Sequence, residues 1–179
     1  TIVEADMTYT IQIPPLSSMF AENARYFGKM EIVPIGLSQH AIDKTKTDFY
    51  ITENSDIKKI LKLRKRFDHK GNYGHALLIA GKYGTAGAAV LASKACLRSG
   101  VGLLTVHVPG KIADIIQISV PEAMLEVDYH EELFTEQTKC EKYSAIGIGP
   151  GIGTDGETVK GLKYLLKNSD LPLVIDADG

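Results

Sequence analysis

At 179 residues, with 44% apolar and 23% charged residues, the chain suits one domain, or one plus a fragment, and is long enough to bury a core. A net charge of −2 gives no long-range pull toward nucleic acid or an anionic membrane, and no apolar run approaches the roughly twenty residues that span a bilayer, so a small molecule is the expected partner. Two cysteines, Cys96 and Cys140, with no CxxC and no further ligand cluster, fit reduced thiols in a cytoplasmic protein and offer no metal site.

Residues 1–36 read as β structure. The strand candidates are Ile2–Ala5, Tyr9–Ile13 and Met30–Val33; Pro14 and Pro15 end the second, since proline lacks a ladder donor, and Leu16–Phe20 suits a short turn of helix. These pieces are too few to bury a core and look like the closing strands of an earlier domain. A start at TIVEAD, without Met, agrees that further sequence precedes it. A polar stretch, Ser38–Thr47, and a short strand or extended connection, Phe49–Thr52, lead to a helix capped by Asn54 or Ser55 and carrying Ile57, Ile60, Leu61 and Leu63. That helix runs into the one basic cluster: Lys58, Lys59, Lys62, Arg64, Lys65 and Arg66. Without interleaved aromatics, in a slightly acidic chain, the cluster reads as a solvated face rather than a phosphate or nucleic-acid patch.

The stretch from His69 to Pro109 organises the rest. An apolar run, Ala76–Ala80, ends in a glycine-rich bend, passes into some fourteen helix-compatible residues and emerges as Leu103–Val108, which is a βαβ unit. Thr85 is the expected N-cap, Gly100 marks the helix end, and only Ser93, Lys94 and Arg98 break an apolar cylinder. Gly81, Gly84 and Gly87, with Ala88 and Ala89, leave little bulk where a strand ends and a helix begins. Such a place suits an anionic or amide-bearing ligand, or merely allows close packing.

Lys111–Val120 carries Ile112, Ile115, Ile116 and Val120 at helical spacing and ends at Pro121; Ala123–Val127 is a strand. Asp128–Lys142 is acidic and polar and reads as a surface excursion. Ser144–Gly149 is the next strand, followed by GIGPGIGTDG. Here Gly151, Gly153 and Gly156 spell GxGxxG, with Asp176 about twenty residues on, the letters of a dinucleotide fingerprint. A helix then opens at Glu157 with Val159, Leu162, Leu165 and Leu166 inward, and Leu171–Ile175 is a buried strand ending in Asp176, Asp178 and Gly179. The order implies a mostly parallel sheet with helices on both faces, an α/β three-layer fold, and places both glycine clusters at carboxyl ends of strands, the edge where open α/β sheets bind ligands.

Taken together, HKGNYGHALLIAGKYGTAGAA with LRSGVGLLTV, then PEAML, IGIGPGIG and LPLVIDADG, resemble the ribokinase-like domain of the nicotinamide nucleotide hydrate dehydratases over roughly Phe67–Gly179. VEADMTYTIQIPPL and KMEIVPIGL resemble the last strands of the Rossmann-like hydrate epimerase domain fused ahead of it in many bacterial members. The resemblance implies residues 1–44 as an epimerase remnant and linker, and residues 45–179 as the first part of the dehydratase domain. It implies a bifunctional parent: ADP, or ATP in other lineages, with Mg²⁺, phosphorylates the hydroxyl of hydrated NADH or NADPH (NADHX, NADPHX), phosphate then leaves together with a ring proton to restore the cofactor, and the upstream domain, with K⁺, interconverts the hydrate epimers. A homo-oligomer is expected. On this resemblance Ala88 and Gly151 line the hydrated nicotinamide nucleotide, Gly84, Gly87, Gly149 and Gly153 shape the same walls, and Asp178 faces the cleft. The family's later His-Pro-Gly-Glu motif and its Gly-Thr-Gly-Asp loop, with the catalytic base, do not occur in these 179 residues, nor does the epimerase's catalytic Asp, and the family's Pro-Lys is here Pro15-Leu16. The fragment is therefore expected to hold no catalytic residue and to have neither activity alone. Two other readings are a sugar or vitamin kinase of the same fold and a non-catalytic nucleotide-binding module; fold alone does not choose between them.

Overall fold

The computed structural model describes residues 2–135 and 139–179. The chain forms two compact units, Thr1–Lys62 and Leu63–Gly179.

In the first unit, β1 (Met7–Ile11) and β2 (Lys29–Val33) pair in parallel, joined by two 3₁₀ turns, Leu16–Met19 and Ala21–Asn23, and a single α-turn, α1 (Ala24–Phe27). Two expected boundaries move. Ile2–Ala5 is not a strand, and the second candidate shifts two residues back. Gln12, whose Oε1 accepts from Ile35 N–H, adopts a left-handed backbone (φ 59°) that ends the ladder before Ile13 and Pro14. The polar stretch contains a helix, α2 (Gln39–Lys44), and Phe49–Thr52 is an extended connection. In α3 (Asn54–Ile60) the cap is Glu53, one residue before the expected pair: its side chain and that of Asp56 satisfy each other's backbone amides as a capping box. Leu61 and Leu63 lie past this helix, and the basic cluster straddles its end.

The second unit is one sheet of five parallel strands: β3 (His75–Ile79), β4 (Leu103–Val108), β5 (Met124–Val127), β6 (Ala145–Ile148) and β7 (Leu173–Ile175). Their spatial order is β5-β4-β3-β6-β7. The chain winds outward from β3 to β5, then returns to lay β6 against the other side of β3. This is a doubly wound sheet whose direction reverses between β3 and β6.

Alternation along β3 assigns its two faces. Leu78 and Ala80 join Leu104, Val106 and Val108 under α4 (Ala86–Arg98) and α5 (Ala113–Ser119), with Ala89, Ile112 and Ile116 as the helical contribution. Leu77 and Ile79 join Ile146 and Ile148 on the opposite face, packed by Leu165 of α6 (Gly156–Asn168) and by Phe134 and Tyr143. Each buried Leu, Ile, Val or Phe side chain among these contributes about 1.5–3 kcal/mol through apolar area removed from water.

Three sequence expectations are corrected here. The described part of Asp128–Lys142 is only in part a surface excursion: Tyr129 is 90% exposed, but Phe134 is 1% and Asp128 4% exposed. Residues 136–138 of that stretch lie outside the described residues. Phe134 packs on the same face of the sheet as Leu165 of α6, and Asp128 anchors a buried polar cluster there. His107 Nε2 lies 3.0 Å from Asp128 Oδ2, and Asp128 also accepts from the amides of His130 and Thr135 and from the Thr135 hydroxyl. In α6 the buried positions are Thr158, Gly161 and Leu165, while Leu166 is 48% exposed. Gly161 faces inward because a side chain there would press on the Phe134 ring, 3.0 Å from its Cε1. Finally, β7 is not buried: among the described residues it pairs with β6 alone, and Val174 is 69% exposed.

Candidate ligand site at the sheet's reversal point

The two glycine-rich bends follow β3 and β6, the neighbouring strands between which the sheet reverses, so they meet at one rim. They are joined by hydrogen bonds from both levels of structure. Gly81 N–H donates to the Pro150 carbonyl at 2.8 Å, and Thr85 Oγ1 donates to the Gly151 carbonyl at 2.6 Å. Thr85 does stand at the N-cap of α4, as expected, but its hydroxyl does not cap the helix. It spans the two bends instead.

The spacing between the bends explains the small residues. A Cβ on Gly151 would lie 2.9 Å from Ala88 Cβ and 3.2 Å from Thr85 Oγ1, and its φ of 69° disfavours any side chain. A Cβ on Gly149 would fall 1.7 Å from the Asp176 carbonyl oxygen, so only glycine lets β7's end approach. Gly84 and Gly87 differ. Nothing lies within 4 Å of where their side chains would be, so they keep space open beside the start of α4 rather than permit a contact. Gly153 donates its N–H to Asp178 Oδ2 at 3.0 Å, which brings the end of β7 to the same rim.

All seven expected positions, Ala88, Gly151, Gly84, Gly87, Gly149, Gly153 and Asp178, therefore fall on this rim or the loop behind it. Two charged residues there escaped the sequence reading. Lys82 reaches from the first bend to Asp155, the N-cap of α6, with Nζ 2.8 Å from Oδ2. The hydrogen bond from Lys82 holds the Asp155 carboxyl below its ordinary range. Asp155 was detectable as a cap residue one step before the helix; Lys82 carries no periodic signal at all. The GxGxxG letters at Gly151–Gly156 follow β6, the fourth strand of the doubly wound order, whereas the dinucleotide fingerprint follows the first. Among the described residues no group of three or more His, Cys, Asp or Glu side chains converges as a metal cage.

Solved structures with this architecture share it at recognisable identity. An ADP/ATP-dependent NAD(P)H-hydrate dehydratase from Bacillus subtilis, co-crystallised with ATP and Mg²⁺, superposes with a TM-score of 0.57 at 30% identity, covering 69% of this chain and 44% of that one. A ribokinase-like superfamily protein from Enterococcus faecalis gives 0.59 at 28% identity, over 74% of this chain and 48% of that one. Fold and rim together define the second unit as a ribokinase-like α/β domain. Residues 76–179 match the family model described as NAD(P)H-hydrate dehydratase, and the chain belongs to that family. Its relatives include a bifunctional NAD(P)H-hydrate repair enzyme of Coxiella burnetii, 34% identical over 99% of this chain and 36% of that protein. An ADP-dependent (S)-NAD(P)H-hydrate dehydratase of Listeria monocytogenes is 35% identical over 62% of this chain and 40% of that protein. The chain thus spans well under half the length of these relatives.

Proposed function

We propose that this chain supplies the substrate side of an ADP-dependent NAD(P)H-hydrate dehydratase, a nicotinamide nucleotide repair enzyme, with Ala88 and Gly151 against the hydrated ring. The observation that carries the reading is the junction of the two bends at the reversal point. It is walled by residues without bulk and fixed by the Thr85 to Gly151 hydrogen bond. A wall of Gly and Ala leaves volume for a flat ring and its ribose, and rigid strand ends hold that volume's shape.

In such a reaction the nucleotide, with Mg²⁺, phosphorylates the hydrate's hydroxyl, turning a poor leaving group into a good one. Mg²⁺ in phosphoryl transfer is held largely by the phosphates, with few protein ligands, and this chain's described residues offer no cage for it. The residues here orient and confine. Ala88 and Gly151 set the ring's depth, Gly84 and Gly87 leave room at the start of α4, and Asp178 fixes the Gly153 backbone.

We read residues 1–44 as the closing part of a Rossmann-like epimerase domain and its linker, supported by the 99% coverage of this chain in the match to the Coxiella burnetii repair enzyme. A K⁺ requirement for that domain, homo-oligomeric assembly and a cytoplasmic setting belong to the same reading and are supported by the family resemblance. The test uses the full-length protein with ADP, Mg²⁺ and hydrated NADH, following absorbance in the reduced-nicotinamide band. Recovery of that band is the expected result. No recovery, with a folded protein, removes the proposal.

A further inference from the structure

We propose that Lys82 is the phosphate-recognition residue of this site. Its ammonium meets a phosphate of the hydrated dinucleotide, and Asp155 holds that ammonium in place until the phosphate arrives. This rests on the function proposed above and adds to it the charge that a wall of glycine and alanine lacks. Any nicotinamide dinucleotide carries anionic phosphates, and within the two bends, residues 81–88 and 149–155, Lys82 is the one cationic side chain.

Its placement fits the role. Lys82 Nζ lies 2.6 Å from where a Cβ on Gly153 would stand, so the bare backbone at 153 is what lets the ammonium lie across the second bend. Gly153 is two residues from Gly151, at most roughly 7 Å along the chain, which sets the cation beside the ring-lining contact and not in it. An ammonium has three donors, and Asp155 takes one. The side chains are 30% and 43% exposed, so the pair is open to an incoming anion. The nearby Lys111 is committed elsewhere, to Glu132 and to the Tyr83 ring. A purely structural clamp is the weaker account. Gly81 N–H to Pro150 and Thr85 Oγ1 to Gly151 already lock the bends together, and a partly exposed ion pair adds little to that.

The experiment titrates the full-length protein and its Lys82→Met and Lys82→Arg variants with hydrated NADH and, separately, with hydrated dihydronicotinamide riboside, which keeps the ring and lacks phosphate. Lys82→Met is expected to weaken the dinucleotide by roughly 10- to 100-fold, the range for a hydrogen bond to a charged group, and to leave the riboside unchanged. Lys82→Arg is expected to stay within a few-fold of the parent. If Lys82→Met fails to fold, Lys82→Gln replaces it. Unchanged dinucleotide affinity, or equal losses for both ligands, overturns the role of Lys82 while the proposed function stands. A parent protein that binds neither hydrate overturns both.

Discussion

Thr85 and Gly151, 66 positions apart in the chain, are joined by a 2.6 Å hydrogen bond from the threonine hydroxyl to the glycine carbonyl. That bond crosses the point where the sheet reverses direction, and it uses the hydroxyl as a donor, where helix capping would use its oxygen as an acceptor. It fixes the distance between the two walls of the proposed substrate cleft.

Thr85→Val keeps the side chain's shape and removes the donor. It is expected to cost about 1 kcal/mol, the net worth of such a bond, and to lower Tm by a few degrees. In the full-length protein the KM for hydrated NADH should rise several-fold, with a smaller change in kcat. Thermal melts and steady-state kinetics check both, and an unchanged KM would separate the bond from substrate binding.

Gly151→Ala puts a methyl where Ala88 Cβ already stands, 2.9 Å away, on a backbone with positive φ. Overpacking and left-handed strain together are expected to cost about 2–4 kcal/mol. Removing the opposing methyl should relieve the first part only. A double-mutant cycle with Ala88→Gly is therefore expected to show a coupling of about 1 kcal/mol or more by denaturant titration. Simple additivity would mean that the two residues do not touch.

Asp128 is expected to contribute to stability against acid. Its burial would raise the carboxyl's pKa, but hydrogen bonds from His107, Thr135 and His130 outweigh that and hold it well below its ordinary range. An ionised carboxylate only accepts, so His107 Nε2 carries the shared proton. Because the folded pKa is depressed, the contribution is fully present above the unfolded value of 3.8 and is lost as pH falls below it. Asp128→Asn is expected to cost about 1–3 kcal/mol at neutral pH and to flatten the acid limb of the stability curve. A limb as steep as the parent's would assign acid unfolding to other carboxylates.

The βαβ core was legible because two kinds of signal agreed: apolar runs of strand length and glycines at the turn from strand to helix. The two bends were legible from the same glycines, and the family resemblance supplied the site positions within them, but why Gly149 and Gly151 must be small was not legible: side chains there would meet Asp176 and Ala88, far away in the sequence. What the letters hid is non-local. Nothing in Ala145–Ile148 says that it pairs with β3 and not with β5 or β7 alone, and that pairing is what brings the bends together. The Asp128–Thr135 stretch looked solvated because most of its letters are polar, yet two residues, Asp128 and Phe134, decide its burial. The face of α6 was misread at Leu166 because the Phe134 ring claims space over Gly161, a contact 27 positions away in sequence. Lys82 stayed hidden because one lysine in a loop has no pattern until its partner is placed.

Hydrogen–deuterium exchange on the full-length protein, with and without hydrated NADH, tests the central claim most directly. Slowed exchange is expected in residues 81–89 and 149–156 together, since one ligand seated at the reversal point contacts both bends. Protection of one bend without the other, or of neither while the hydrate is bound, would contradict it.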